Sequence, residues 1–526
     1  MTKVRLFKIY QTIIKVGIYP TFFLTLYAAM RADQLNLATV SPQLFVLVLC
    51  TLVIFSLLWV RRTTIWYFVR VSYQQVRNHA IIFIFLSMIL AATIQVIILL
   101  NTNTPLGWDV GSVVTVAIDP SIGSNYVSIN PNNLFLISFY HSIYALFLSP
   151  MTSTPNAWLF FQIITTLGLD LSIFCLTYAV KSMFNLDVAL ITYIIFYALF
   201  VLTPYIQAPY SDVAVLFPVS LALVCLTRLE NMQRLWSKII LSLVIAVLTA
   251  IIFAIKPSAI IVVIAWVIQK LVSEFLVDKS SGRFSRLLIV VCVTLGFVAA
   301  NPVLSAVTTT YTPIKIEKNQ ALPWQHFAYM GLTGNGGYND TIKSDTLKLK
   351  ATDKMRRYSI DGILNRFHEL GIIGYLQFLT VKQMNNTARG DFTWGVDGVP
   401  LQPFRKSRNS FQDRIRSLYL VGGSHTSDLS FYFQIVWVLT LIGILQSLIF
   451  YKFRDNDWVQ ILILTVLGGF LYLLLFEGGR SRYLIQYLPA FVPLAGWGWF
   501  VGIQTVRKHH RKKTQTVSHS ASSTFE

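Results

Sequence analysis

Long apolar runs separated by short charged gaps pattern this chain from its first residues almost to its last. Twelve runs fall near residues 13–30, 43–60, 80–100, 157–180, 186–203, 208–227, 239–254, 257–269, 287–308, 431–450, 458–476 and 483–503. Most are long enough for a helix of about 17–25 residues, which crosses roughly 30 Å of hydrocarbon. The run at 257–269 is shorter and extends to residue 276 as a helix. The pattern predicts an all-α polytopic membrane protein of twelve transmembrane helices, within a range of eleven to thirteen. A thirteenth apolar stretch, Leu134–Leu148, would break the even count that puts both termini on one side. Residues 132–150 are therefore predicted to form an interfacial helix, because Phe135, Phe139, Tyr140, His141, Tyr144 and Phe147 suit the membrane–water boundary. The first run has the basic start of a signal peptide but is long for one, so it reads as an uncleaved span.

Composition agrees with the pattern. Charged residues make up 13% of the chain and hydrophobic ones 55%, against roughly 25% charged in soluble domains, which excludes a large soluble enzyme. The net charge of +20 is not a nucleic-acid footprint, because the basic residues fall in alternate gaps. They are Lys3/Arg5/Lys8, Arg61/Arg62/Arg70/Arg77, Lys181, Arg228/Arg234/Lys238, Lys270/Lys279/Arg283/Arg286, Lys452/Arg454 and Arg507/Lys508/Arg511/Lys512/Lys513. By the positive-inside rule both termini are cytoplasmic, and these gaps suit anionic lipid headgroups. Cys50, Cys175, Cys225 and Cys292 all lie inside apolar runs and read as small packing residues.

This topology divides the chain into two N-terminal spans (1–79), a membrane core (80–310) with an exterior loop at 101–156, an exterior segment (311–430), C-terminal spans (431–506) and a basic cytoplasmic tail (507–526) expected to lack regular structure. The segment 311–430 is too long for a structureless loop and is predicted to mix helix and loop. Span centres are nearly free of charge and polar residues crowd the other gaps, so the chemistry is expected on the exterior face.

Asp109 is the leading candidate. It follows a charge-free run within Gly107-Trp-Asp-Val-Gly111, where the glycines allow an unusual turn and Trp108 can anchor the loop or stack on a sugar ring. A carboxylate at that depth is partly desolvated and a better proton acceptor; a turn aspartate facing water is the plainer reading. Asp119 is the reserve. Asn130-Pro-Asn-Asn133 is expected to cap the interfacial helix, with Asn132 and Asn133 also able to meet a sugar hydroxyl. Lys256 either snorkels to headgroups or pairs with a substrate phosphate. Arg480 and Arg482, beside Tyr483, stand against the usual charge bias; they pair internally with Glu477 or hold a phosphate with their forked donors. Asp212, in Tyr210-Ser-Asp212, either orients an acceptor, holds a metal or caps a helix. His326 and His368 are isolated, and no spacing suggests a zinc site. No Walker loop, dinucleotide fingerprint or G-x-S-x-G elbow is present, so ATP-driven transport and hydrolase chemistry gain no support.

Together Gly107-Trp-Asp-Val-Gly111, Pro131-Asn-Asn133, Ile255-Lys-Pro-Ser258, Met330-Gly-Leu332 with Gly336-Gly-Tyr338, and Glu477 through Pro489 give a chain that resembles the GT-C superfamily of membrane glycosyltransferases. The likeness is to its protein-mannosyltransferase-like branch in Gram-positive bacteria. It implies transfer of a sugar from a polyprenyl-phosphate carrier to an exterior acceptor: a cell-envelope glycan, a teichoic acid or a protein. By position it puts the catalytic base on Asp109 and the lipid phosphate on Lys256, Arg480 and Arg482. Two extra spans precede the loop here, and no acidic pair adjoins Asp109, so no cofactor is assigned and a divalent cation stays open. The competing readings are a flippase or polymerase of lipid-linked glycans, and a non-catalytic envelope assembly factor.

Overall fold

Each apolar run folds as a helix, because in hydrocarbon only a helix satisfies every backbone donor and acceptor within its own segment. The computed structural model describes residues 3–60, 62–148, 154–277, 283–401, 406–451 and 456–522. In chain order the helices at the twelve runs are α1 (Lys3–Met30), α2 (Pro42–Val60), α3 (Ala80–Thr102), α4 (Thr154–Met183), α5 (Leu186–Phe196), α6 (Leu216–Asn231), α7 (Leu235–Ile255), α8 (Ile261–Leu276), α9 (Arg283–Tyr311), α10 (Thr426–Phe450), α11 (Asp457–Leu475) and α12 (Leu488–Ser522). Among the described residues ten helices are long and apolar enough to cross a membrane; α2 and α5 are apolar but shorter. The described residues form no strand, only an isolated bridge between Leu106 and Pro400.

Small residues set how closely the helices pack, as expected where lipid removes the hydrophobic drive between them. A methyl group on Gly498 of α12 would lie 1.9 Å from the carbonyl oxygen of Gly443 on α10. These backbones touch only because neither residue has a side chain.

Three features depart from the sequence reading. Asp170 sits inside α4, a carboxylate within a span. Gln95 of α3 makes it tolerable: its amide nitrogen lies 3.0 Å from Asp170 and 2.9 Å from the carbonyl of Val201. That carbonyl ends a wide helical turn, Tyr197–Val201, following α5. Second, Arg62–Asn78 forms a helix with distinct polar and apolar faces, tied down by Tyr73 and Arg77, which both bond Asp187 (2.8 and 2.7 Å). Third, α12 continues to Ser522 through the tail expected to be irregular. The basic residues Arg61, Lys279, Lys452 and Arg454, and residues 151–153 of the gap at 151–156, lie outside the described residues.

The loops after α3, α5, α7, α9 and α11 gather at one end of the bundle. Leu134–Phe147 is helical there as expected; its 14 residues span about 21 Å at 1.5 Å per residue, too short to cross alone. It packs on the helix Trp108–Ile118, where the His141 ring nitrogen lies 2.9 Å from the Ala117 carbonyl. The segment between α9 and α10 holds helices Trp324–Met330, Asp340–Lys348, Thr352–Thr387 (kinked at Gly371, φ 57°) and Ser410–Tyr419. It fastens the loop after α3 through Gly107 N–H to Val399 (2.8 Å), Leu401 N–H to Pro105 (2.9 Å) and Arg416 to the Asn101 carbonyl (2.9 Å).

Candidate active site

Asp109 occupies the first turn of the helix Trp108–Ile118. The unusual backbone there belongs to Trp108 (φ 57°) and not to the flanking glycines. A non-glycine residue in the left-handed region costs of order 1–3 kcal/mol and needs surrounding contacts to hold it; the bond from Gly107 to Val399 is one. Gly111 is required for space, since a Cβ would meet the Leu106 carbonyl oxygen at 2.5 Å. The Trp108 ring is 67% exposed.

Two phenols hold the Asp109 carboxylate. Tyr126 donates to one oxygen (3.1 Å) and Tyr210 to the other (3.4 Å). Burial, then the charge of Asp109, pushes both phenols above their ordinary range, so they remain protonated donors. Since Tyr126 gives its one proton to Asp109, its oxygen accepts from the amide of Asn133 (2.8 Å). That fixes the orientation of Asn133 and leaves its carbonyl oxygen buried without a partner among the described residues. The expected side-chain cap is absent: neither Asn130 nor Asn133 bonds the helix start, because both amides are directed to Tyr126.

Asp109 opens into a cavity of about 490 Å³ that also takes lining from Asn132, Asn133, Lys256, Glu477, Arg482 and Tyr483. Residues distant in sequence thus meet because their loops share one end of the bundle. Its apolar lining comes from Phe253, Leu322, Trp324, Phe327, Met330 and Phe476.

Lys256, Arg480 and Arg482 are each paired with a carboxylate. Lys256 bonds Asp212, which lies in a one-turn helix at Ser211–Ala214, and Arg482 lies 3.3 Å from the same carboxylate. Arg482 also bonds Asp397 (2.7 Å), as does Arg480 (3.0 Å). Both carboxylates are nearly fully buried. Burial raises Asp397 above the usual carboxylate range against the pull of its two arginines, and burial lowers Lys256 against the pull of Asp212. Glu477 is bonded instead by Tyr483 (2.8 Å), and burial raises its carboxyl. The internal partners of the two arginines are therefore Asp397 and Asp212, not Glu477.

Of the remaining sequence candidates, Asp119 is exposed and accepts from the backbone and hydroxyl of Ser121 (3.0 and 2.5 Å), a turn cap away from the cavity. Trp108 and Arg480 do not line the cavity. His326 does. Its Nδ1 is 3.0 Å from the Thr346 hydroxyl, whose proton goes to the Ile342 carbonyl (2.7 Å). Nδ1 must then carry the imidazole hydrogen, leaving a bare Nε2 that is buried and unpaired. Burial, with Lys343 nearby, pushes His326 down to about 4, so it is neutral near pH 7.

Lys382 is a residue that the sequence did not single out. Fully buried on Thr352–Thr387, it donates to the carbonyls of Gly331 (2.6 Å), Leu474 (3.1 Å) and Phe476 (2.7 Å). Asn386, one turn on, bonds the Gly479 N–H (2.5 Å). A Cβ on Gly336 would lie 2.5 Å from the Lys382 side chain, and one on Gly331 the same distance from the Phe476 carbonyl oxygen. The glycines of the 330–338 stretch are thus needed to let that loop close on the turn carrying Glu477. Among the described residues no group of three or more His, Cys, Asp or Glu side chains is placed to hold a metal ion.

Two solved structures are similar to this one. The archaeal oligosaccharyltransferase AglB from Archaeoglobus fulgidus, in complex with an inhibitory peptide and a dolichol-phosphate, is 13% identical with a TM-score of 0.43, over 82% of this chain and 52% of that one. The apo form of the Archaeoglobus fulgidus oligosaccharyltransferase is 11% identical with a TM-score of 0.42, over 81% and 52%. The chain therefore spans about half the length of these structures. No curated protein matches it. Residues 6–500 match the model of a family described as conserved hypothetical integral membrane proteins, and the chain belongs to that family.

Proposed function

We propose that this protein is a GT-C-like membrane glycosyltransferase that moves a sugar from a polyprenyl-phosphate carrier to an acceptor hydroxyl on the exterior face. The observation that carries the reading is one cavity lined by a tyrosine-held carboxylate, by the cations Lys256 and Arg482 and by a set of apolar side chains. That mixture suits an amphiphile with a charged head and a hydrocarbon chain.

In this reading the acceptor O–H gives its proton to Asp109 as its oxygen forms a bond to the anomeric carbon. The bond from that carbon to the phosphate oxygen breaks, and its electron pair leaves with the polyprenyl phosphate. A single displacement inverts the anomeric carbon. Tyr126 and Tyr210 donate to Asp109 and hold its oxygens in place. Lys256, Arg480 and Arg482 supply positive potential to the leaving phosphate. Their ion pairs with Asp212 and Asp397 position them before substrate arrives, so the phosphate shares cations that are already held. In this reading Asn132, Asn133 and Tyr483, which line the cavity, meet sugar hydroxyls, Asn133 through an acceptor oxygen with no partner among the described residues. The acceptor in this proposal is an envelope glycan, a teichoic acid or a protein.

Replacing Asp109 with Asn keeps the shape and removes the base. In correctly inserted protein, transfer should fall by about 10²–10⁴-fold while lipid-linked sugar accumulates. Transfer at the wild-type rate would exclude Asp109 as the base.

A further inference from the structure

The cations assigned to the donor phosphate are all engaged with carboxylates. Lys256 and Arg482 line the cavity but are held by Asp212 and Asp397, and Arg480 does not reach the lining. Pulling either lining cation fully onto an incoming anion would strand a buried carboxylate, a costly exchange. The lining includes a further cation. Lys343, on the helix Asp340–Lys348, is half-buried and, among the described residues, has no carboxylate within ion-pair distance. Its ammonium lies 5.3 Å from the ring centre of Tyr338 and acts electrostatically on the neutral His326. Tyr338 is itself hydrogen-bonded to Asp340 (2.9 Å), one turn ahead of Lys343, but that carboxylate forms no ion pair with the ammonium. A partly desolvated cation outside an ion pair attracts anions more strongly than one already paired.

The surroundings of Lys343 specify the kind of anion. The apolar lining residues Trp324, Phe327 and Met330 come from the same segment of chain, just ahead of that helix. One continuous stretch, 322–343, thus supplies both apolar lining and a cation. Resting on the transferase reading above, we propose that Lys343 binds the phosphate of the lipid-linked donor, while Trp324, Phe327 and Met330 contact the first prenyl units. The segment between α9 and α10 then serves the donor.

The test is binding of a short-chain prenyl monophosphate, and separately of inorganic phosphate, to the full chain in lipid nanodiscs, comparing wild type with Lys343→Gln and Lys343→Arg. Wild type should bind the prenyl phosphate. Lys343→Gln should weaken binding about tenfold and flatten its salt dependence, and Lys343→Arg should restore both. Lys348→Gln, exposed on the same helix, controls for general surface charge. If inorganic phosphate binds as tightly as the prenyl compound and responds equally to Lys343→Gln, the anion role stands and the prenyl contact is overturned. Binding unchanged in Lys343→Gln overturns the role of Lys343 and leaves the transferase reading intact. Wild-type protein that binds neither probe overturns both.

Discussion

At the scale of single residues, the candidate site is governed by where protons can sit. The Asn133–Tyr126–Asp109 chain has one consistent arrangement, because an ionised carboxylate only accepts and an amide nitrogen only donates. The same reasoning gives His326 a bare Nε2 and predicts a pH effect. An unfolded histidine titrates near 6.5, but in the fold His326 resists protonation down to about 4. Between those values the unfolded chain binds the extra proton, so this contribution is complete above pH 6.5 and is lost as pH falls toward 4. At pH 5 the loss from this residue should be about 2 kcal/mol. Thermal unfolding in detergent at pH 7 and pH 5 checks it: His326→Gln should show a smaller drop in melting temperature than wild type. Equal drops would mean that another group sets the acid sensitivity.

At the scale of elements, close backbone contact between helices decides where the loops end up. The α10–α12 contact needs glycine at both Gly443 and Gly498, and α12 begins just after the turn that carries Arg480 and Arg482. Gly498→Ala should therefore lower stability by about 1–3 kcal/mol through overpacking. Gly168→Ala, in α4, meets nothing within 4 Å and should be neutral or slightly stabilising. Unfolding of both variants in one detergent decides this; two equal melting temperatures would show that α12 can shift at no cost. The polar knot around Lys382 works similarly. Three backbone carbonyls from two segments share one ammonium, which fixes the 330–338 loop against the turn at Glu477.

At the scale of the whole molecule, the proposal needs a sidedness: the cavity end faces outward and the opposite end the cytoplasm. Pairs such as Lys270–Glu230 and Arg77–Asp187 gather at that opposite end. A cysteine in place of the exposed Ser121, at the cavity end, should react with a membrane-impermeant maleimide added to intact cells. One in place of Gln233, in the turn between α6 and α7, should react only after the cells are opened. The reverse result would put the cavity in the cytoplasm and end the exterior-transfer reading.

The helices, their approximate bounds and the surface position of Leu134–Phe147 were legible in the chain, because each is set locally by apolar length against the thickness of hydrocarbon. So were several residues that meet in the cavity, since Asp109, Lys256 and Arg482 stand out as charges beside apolar runs. What sequence could not supply was their pairing. Asp397 lies in a polar segment where another aspartate is unremarkable, and only the closure of that segment over the bundle brings it to Arg480 and Arg482. Tyr126, Lys343 and Lys382 carried no local signal, and His326 stood as isolated, because contacts made between separate turns and helices leave no local periodicity. Which cations are neutralised and which remain free for a ligand is thus decided by tertiary contact alone, because charge compensation depends on distance in space and not along the chain.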